Sequence, residues 1–308
     1  MKKRLSNTLF LIATVVWGFA FIAQKEASNI PAFTVGAVRS LLAALFLLCG
    51  IPIIDKIRQK SEGGDTPARA FGFNRSELIG GIILGIIIVA ASAFQQIGIA
   101  EVEAGKAAFI TALYVVIVPI ISAFLGKKPH LNAIISIPVA VVGFYFLCIK
   151  PGVSIQLPDL LILICAFIFS LHIITVDRFS PKCDGMRLSF VQFAVAFILN
   201  LVIALIFEGP ISPSAISSGF LPLLYLGILS SGVGYTLQIL GQKDADPTVS
   251  SIFLSLESVF GVIGAALILK EKMSPREYIG CAIVFIAILL SQFDIFEYFK
   301  RFKRRNDN

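Results

Sequence analysis

Apolar residues in this chain come in blocks of about twenty, parted by short polar segments, not in the one-face or alternating patterns of a soluble domain. Blocks of that length cross a hydrocarbon core roughly 30 Å thick as helices. The pattern predicts an all-α integral membrane protein with ten transmembrane helices, at 7–25, 32–54, 77–99, 102–125, 130–149, 157–176, 186–207, 219–241, 246–269 and 275–293. Turn-forming stretches separate them: "SNIPA", "GKKPH", "KPGVSIQLP", "EGPISPS" and "DADP". The first block follows "MKKR", but no small-residue cleavage pattern comes after it, so it reads as a span and not as a leader.

Composition agrees. The 308 residues are 57% hydrophobic and 15% charged, with mean hydropathy +0.89. A soluble chain has about 25% charged residues. The net charge of +7 is read by position. With the N-terminus inside, nineteen of the 26 lysines and arginines fall in cytoplasmic segments and six outside, with Arg39 inside a span. This bias predicts a multi-pass protein of the cell membrane with both termini and the 55–76 loop in the cytoplasm, and 208–218 outside. It marks membrane flanks and gives no sign of nucleic-acid binding. Five cysteines without a CxxC give neither a disulfide framework nor a zinc site, and no cofactor or metal is expected. Cys49, Cys148, Cys165 and Cys281 lie in apolar blocks, where thiols act as small hydrophobes, and Cys183 lies in a short loop. The tail "FDIFEYFKRFKRRNDN" interleaves phenylalanines with five basic residues. It reads either as an amphipathic helix on the inner-leaflet lipids (294–308) or as a plain stop-transfer flank.

Ten spans invite a test for five plus five. Residues 95–127 slide onto 238–270 with an offset of 143, and seven of 33 columns are identical. The polar and glycine columns, Gln95/Gln238, Gly98/Gly241 and Lys127/Lys270, carry most of that signal, since apolar matches are frequent in membrane sequences. An odd number of spans per repeat inverts the second copy, so the expected organisation is a first repeat over 1–150 and an inverted second over 151–293. Such repeats hold substrate near the bilayer midplane between them.

Three stretches carry a family resemblance: "VVWGFAFIAQK" in the first span, the arginine of "FTVGAVRSLLAALFLL" in the second, and "LESVFGVIGAALILKEKMSPREYIGCAIVFIAIL" across the last two. On these the chain resembles the EamA-like ten-span members of the drug/metabolite transporter superfamily, over essentially its full length. Two departures stand out. Ser258 occupies a position where the family usually has proline, and the matching segment of the first half ends "GKKP" without the glutamate found at 271. The resemblance implies a transporter of amino acids, other small metabolites or drugs, mostly outward.

Polar residues within spans narrow the site, because an ionisable group at the bilayer centre costs about 2.5–3.5 kcal/mol on insertion scales. Glu257 is central in its block, and the 143 register pairs it with Tyr114, equally central in its own. They form a candidate substrate or proton site; the alternative is a structural acceptor. Gln95 and Gln238 either line the two ends of a pathway or bond between helices, and Tyr235 lies one turn from Gln238. His172 is a candidate proton relay or a packed, capped histidine. Arg39 either snorkels outward or pairs with a carboxylate, and the resemblance suggests that it holds the halves together. Trp17 is mid-span, as a cavity wall or as packing. Gly81-x-x-x-Gly85 and the glycines of "SSGVGY" (230–235) fit close helix packing, and the second pair also fits a bend.

An enzyme would need a catalytic cluster, and there is none in the sequence: two histidines, no HExxH, and no carboxylate pair outside a loop. "GIAEVEAGKA" is not a P-loop, since six residues part its glycines and alanine follows Lys106. The reading is therefore a secondary active transporter, an exporter of amino acids or small metabolites, working by alternating access with possible proton coupling. Its alternatives are a cationic-drug exporter and a passive facilitator. The partners expected are a small-molecule substrate and lipid; nothing in the sequence speaks to oligomeric state.

Overall fold

The computed structural model describes residues 2–61, 72–126, 131–148, 156–245 and 247–292. Among them there are only helices and turns. The expected tail helix at 294–308 lies outside the described residues, as does the 62–71 part of the 55–76 loop.

The helices are α1 (Lys2–Glu26), α2 (Ala32–Ser61), α3 (Arg75–Glu101), α4 (Ala104–Thr111), α5 (Tyr114–Phe124), α6 (Leu131–Cys148), α7 (Leu157–Phe179) and α8 (Gly185–Phe207). They continue with α9 (Pro213–Ser218), α10 (Phe220–Leu224), α11 (Tyr235–Gln242), α12 (Pro247–Leu254), α13 (Glu257–Gly264) and α14 (Pro275–Gln292). Among the described residues, seven stretches are long and apolar enough to cross a membrane, and Ile135–Phe146 and Glu257–Leu269 are shorter apolar helices. The chain is thus a multi-pass membrane protein.

Three of the expected uninterrupted spans are interrupted. The 102–125 block is α4 and α5, and the 246–269 block is α12 and α13 followed by a π-helical stretch, Ala265–Leu269. The 219–241 block is α10, a longer π-helical stretch at Tyr225–Gly234, and α11. Backbone irregularity of this kind is tolerated at membrane depth where protein or a cavity surrounds it.

The principal pairings are α2 with α8, α6 with α14, α4 with α13, and α3 with both α7 and α8. The Tyr225–Gly234 stretch packs on α1 and α2, α4 and α5 pack on α7, and α12 and α13 on α1. Exchanging α1 with α7, α2 with α8, α3 with 225–242, α4–α5 with α12–α13 and α6 with α14 leaves this set unchanged.

Burial is inverted relative to a soluble protein. Leucines, isoleucines and phenylalanines such as Ile53, Ile86, Ile198, Phe207 and Leu267 are exposed on the outside, as surface facing lipid tails must be. Inside lie Gln24, Gln95, Gln192, Gln238, Ser231 and Glu257. Cys165, Cys183 and Cys281 are buried, but Cys49 is exposed, contrary to the expectation of a packed thiol. Gly81 and Gly85 bring α3 against α8: a Cβ at Gly81 would sit 2.5 Å from Val191 Cβ, and one at Gly85 2.8 Å from the Gln192 carbonyl.

Polar caps fix the helix ends. Asn74 and Glu77 close a capping box at the start of α3, and Glu77 also accepts from the Asp184 N–H at the start of α8. Arg187 pairs with Asp55, tying α8 to α2. At the α3–α4 corner, Lys25 donates to the carbonyls of Ile99, Ala100 and Val102 at 2.8–3.0 Å. Glu271 accepts from the first N–H groups of α4, Ala104 at 3.0 Å and Gly105 at 3.2 Å. Lys106, counted in the sequence with the outside loop, is buried on α4, 2.9 Å from both carboxylate oxygens of Asp159 on α7. Glu208 holds the Phe33 and Thr34 N–H groups at the start of α2, both at 2.8 Å. The contacts of Asn74, Glu77, Lys25, Glu271 and Glu208 supply partners that an open helix end lacks in a low-dielectric setting.

Candidate functional site

Two of the three interrupted spans, 102–125 and 246–269, place the site. After α4 the chain tightens by one residue per turn: Leu113 N–H donates to Ile110 O at 3.2 Å, Val115 to Ala112 at 3.1 Å and Val116 to Leu113 at 3.0 Å. After α12, Leu256 donates to Phe253, Ser258 to Ser255 and Val259 to Leu256, all at 3.1 Å. Every donor and acceptor of the second set is 143 residues on from the first. Each pinch is a single 3₁₀-type turn. α5 then begins at Tyr114 and α13 at Glu257, so the phenol and the carboxyl occupy the same place after the same break. Ser258, where proline was the resemblance's expectation, sends both its N–H (3.1 Å) and its hydroxyl (2.7 Å) to the Ser255 carbonyl. The side chain thereby reinforces the pinch by bonding back one turn.

Close backbone approach brings Glu257 inward. A Cβ at Gly18 of α1 would meet Phe260 Cβ at 2.3 Å and the Glu257 carbonyl at 3.0 Å, so only glycine lets α1 lie this close to α13.

A cavity forms between these helices. All eight residues singled out in the sequence line it: Trp17, Arg39, Gln95, Tyr114, His172, Tyr235, Gln238 and Glu257. Gln95 and Gln238, read either as the two ends of a pathway or as amides bonding between helices, border the same chamber. Glu257 is buried, and the Tyr114 hydroxyl is turned toward it without completing a well-formed hydrogen bond. Trp17 packs on Tyr235 with ring centroids 4.7 Å apart and donates its indole N–H to the Ser230 carbonyl at 3.0 Å. Tyr235 also meets His172 and Phe193 edge-on, each at 5.5 Å.

Arg39 neither snorkels nor meets a carboxylate among the described residues. Its guanidinium donates to the Ser231 hydroxyl at 2.9 Å and the Ser230 hydroxyl at 3.2 Å, joining α2 to the π-helical stretch across the two halves of the sequence. His172 is fully buried, with Nε2 3.1 Å from Gln192 Oε1. Gln95 donates to Thr111 at 3.2 Å and Gln238 to Gln242 at 2.9 Å. No group of three or more His, Cys, Asp or Glu able to hold a metal occurs among the described residues.

The sequence reading missed five polar or aromatic wall residues: Phe21, Gln24, Thr111, Phe169 and Ser230. Gln24 carried a legible signal, an amide inside the apolar "AFIAQK" run, but its place at the end of a span made it look like a boundary residue. Ser230 is exposed to the cavity by the π-helical stretch, which no local pattern announces.

An uncharacterized transporter of Archaeoglobus fulgidus is 28% identical over 291 residues, spanning 94% of this chain and 86% of its own. The uncharacterized transporter YyaM of Bacillus subtilis is 28% identical over 122 residues, 40% of this chain and 38% of its own. A solved crystal structure shares the fold across 93% of this chain and 96% of its own, with a TM-score of 0.68 at 16% identity. The model of the EamA-like transporter family matches the chain twice, over residues 4–149 and again over 156–293. With both halves covered, the chain belongs to the EamA-like transporter family.

Proposed function

We propose that this protein is a secondary active exporter of amino acids or other small metabolites in the cell membrane, with both termini cytoplasmic. It works by alternating access around the cavity, between two inverted five-helix repeats, and Glu257 couples cargo to protons. The observation that carries this reading is the pair of equivalent breaks: Tyr114 and Glu257 follow pinches 143 residues apart and face one buried chamber. The twofold family match and the exchange-symmetric helix pairing support the repeat. Discontinuous helices meeting at a substrate site are a recurring transporter device, because a tightened turn can flex without dismantling a whole helix. A lone carboxyl at that depth is costly to keep without a role.

The test is uptake into proteoliposomes holding the full-length protein, with a panel of amino acids and amines and a pH gradient imposed in either direction. Accumulation beyond equilibrium that reverses with the gradient supports the reading. Equilibration without accumulation would make the protein a passive facilitator.

A further inference from the structure

Three consecutive residues at the start of α4 are gripped by two carboxylates from the other half of the chain. Glu271, just past the π-helical stretch Ala265–Leu269, accepts from the Ala104 N–H at 3.0 Å and the Gly105 N–H at 3.2 Å. Asp159, near the start of α7, holds the Lys106 ammonium at 2.9 Å. Ile99, Val102, Ala104 and Lys106 are all buried at this end. The chamber lies directly behind them. Its wall residues Gln24, Gln95 and Thr111 are within about a turn and a half of Lys25, Ile99 and Lys106. Lys25 acts differently, because its carbonyl partners Ile99, Ala100 and Val102 belong to its own half, so it ties the corner to α1.

At the opposite end the same grip cannot form. In the 143 register Ala104 and Lys106 correspond to Pro247 and Val249, the first without an N–H and the second without a charge. The pairing of α2 with α8 also crosses the halves, but it is tied at both ends. Glu208 accepts from the Phe33 and Thr34 N–H groups at the same end as the grip, and Arg187 pairs with Asp55 at the other.

Resting on the reading of this chamber as the transport site and of 208–218 as outside, we propose that Glu271 and Asp159 form an outer latch. They hold α4 against the second half, keep the chamber closed to the outside at rest, and release α4 when the protein turns outward. The α2–α8 pair stays joined in both states and serves as the pivot. A contact made in only one of two states biases the equilibrium toward that state by its own free energy. Bonds to a charged partner are roughly twice as strong as neutral ones, and the start of α12 lacks this pair, so the balance lies with the outward-closed state. Release of the latch is then the step that cargo or protons must drive.

The experiment uses the full-length protein, its five native cysteines replaced, in membrane vesicles of both orientations with a charged, membrane-impermeant maleimide. Thr111→Cys, on the chamber wall behind the latch, reports entry to the chamber. Ser214→Cys reports which side of the membrane this end faces. With the latch intact, Thr111→Cys should react slowly from the side on which Ser214→Cys reacts. Adding Glu271→Ala should speed that reaction about tenfold or more, the worth of a hydrogen bond to a charged group in a two-state equilibrium. Asp159→Asn, nearly isosteric, should speed it as well, and stands in should the Glu271→Ala protein not fold. Glu208→Ala removes the same kind of contact at the same end, but at the pivot, and should leave the rate unchanged. Rapid reaction with the latch intact, or no gain in either latch variant, would overturn the latch. An equal gain with Glu208→Ala would reduce the effect to general loosening and overturn it too. Reaction of Ser214→Cys from the cytoplasmic side alone would overturn the topology, with the latch still read from that side. Gradient-driven uptake into the same vesicles tests the transport reading separately.

Discussion

The corner between α3 and α4 and the corner between α11 and α12 derive from segments that align at an offset of 143, yet different chemistry holds them. The first is clamped by charge: Lys25 on the α3 carbonyls, Glu271 on the α4 amides, and Lys106 with Asp159 between α4 and α7. The second, among the described residues, has neutral hydrogen bonds. Ser6 donates to Gly241 O at 2.6 Å and Gln242 to Ile173 O at 3.0 Å. In the register Lys106 corresponds to Val249 and Glu271 to Lys128, so the missing glutamate of "GKKP" removes one clamp and the valine another. Equivalent breaks near the chamber and unequal clamps at the ends suggest a division of labour.

The largest effect should come from breaking the buried pair. Lys106→Met leaves Asp159 charged and alone, and is expected to cost about 3–5 kcal/mol of stability. Lys106→Met/Asp159→Leu should recover most of it, since two apolar side chains can replace a buried pair at little cost. Unfolding of the purified protein with denaturant reads both variants. If the single variant is as stable as the parent, the corner is not clamped by charge. At the neutral corner, Gln242→Met strands one carbonyl and one amide and should cost about 1–3 kcal/mol. A cost equal to that of Lys106→Met would erase the contrast between the corners. The smallest loss should come from Glu271→Gln, about 0.5–2 kcal/mol, because the amide keeps one acceptor oxygen for the two N–H groups it caps. Its signature is local: faster hydrogen exchange at Ala104 and Gly105 with the rest of α4 unchanged.

Much of this was legible in the sequence, and the reasons for the remainder are physical. The apolar blocks mark where helices run, because lipid imposes one composition over twenty residues. The offset of 143 paired Tyr114 with Glu257 from seven identities, and the backbone hydrogen bonds repeat at that same offset. The breaks themselves were hidden: Ala112–Leu113 and Ser255–Leu256 contain neither glycine nor proline, and a 3₁₀ pinch changes φ and ψ too little to require one. The Lys106–Asp159 pair was hidden for another reason. Its members are 53 residues apart, and each reads alone as a charge at a span end. Arg39 was legible as a charge needing partners, but its partners are hydroxyls of a π-helical stretch that local pattern does not reveal. Cys49 looked packed because it lies in an apolar block, and such a block does not distinguish a lipid-facing side from a protein-facing one.

The central claim is that Glu257 couples cargo to protons from within the shared chamber. The direct measurement compares wild type and Glu257→Gln in proteoliposomes, with a cargo identified from the panel, under an imposed pH gradient. Counterflow without a gradient and stability in detergent are measured in parallel. The account predicts that the variant folds, keeps measurable counterflow and loses gradient-driven accumulation. Accumulation at the wild-type rate, with unchanged pH dependence, would show that Glu257 serves only as a scaffold.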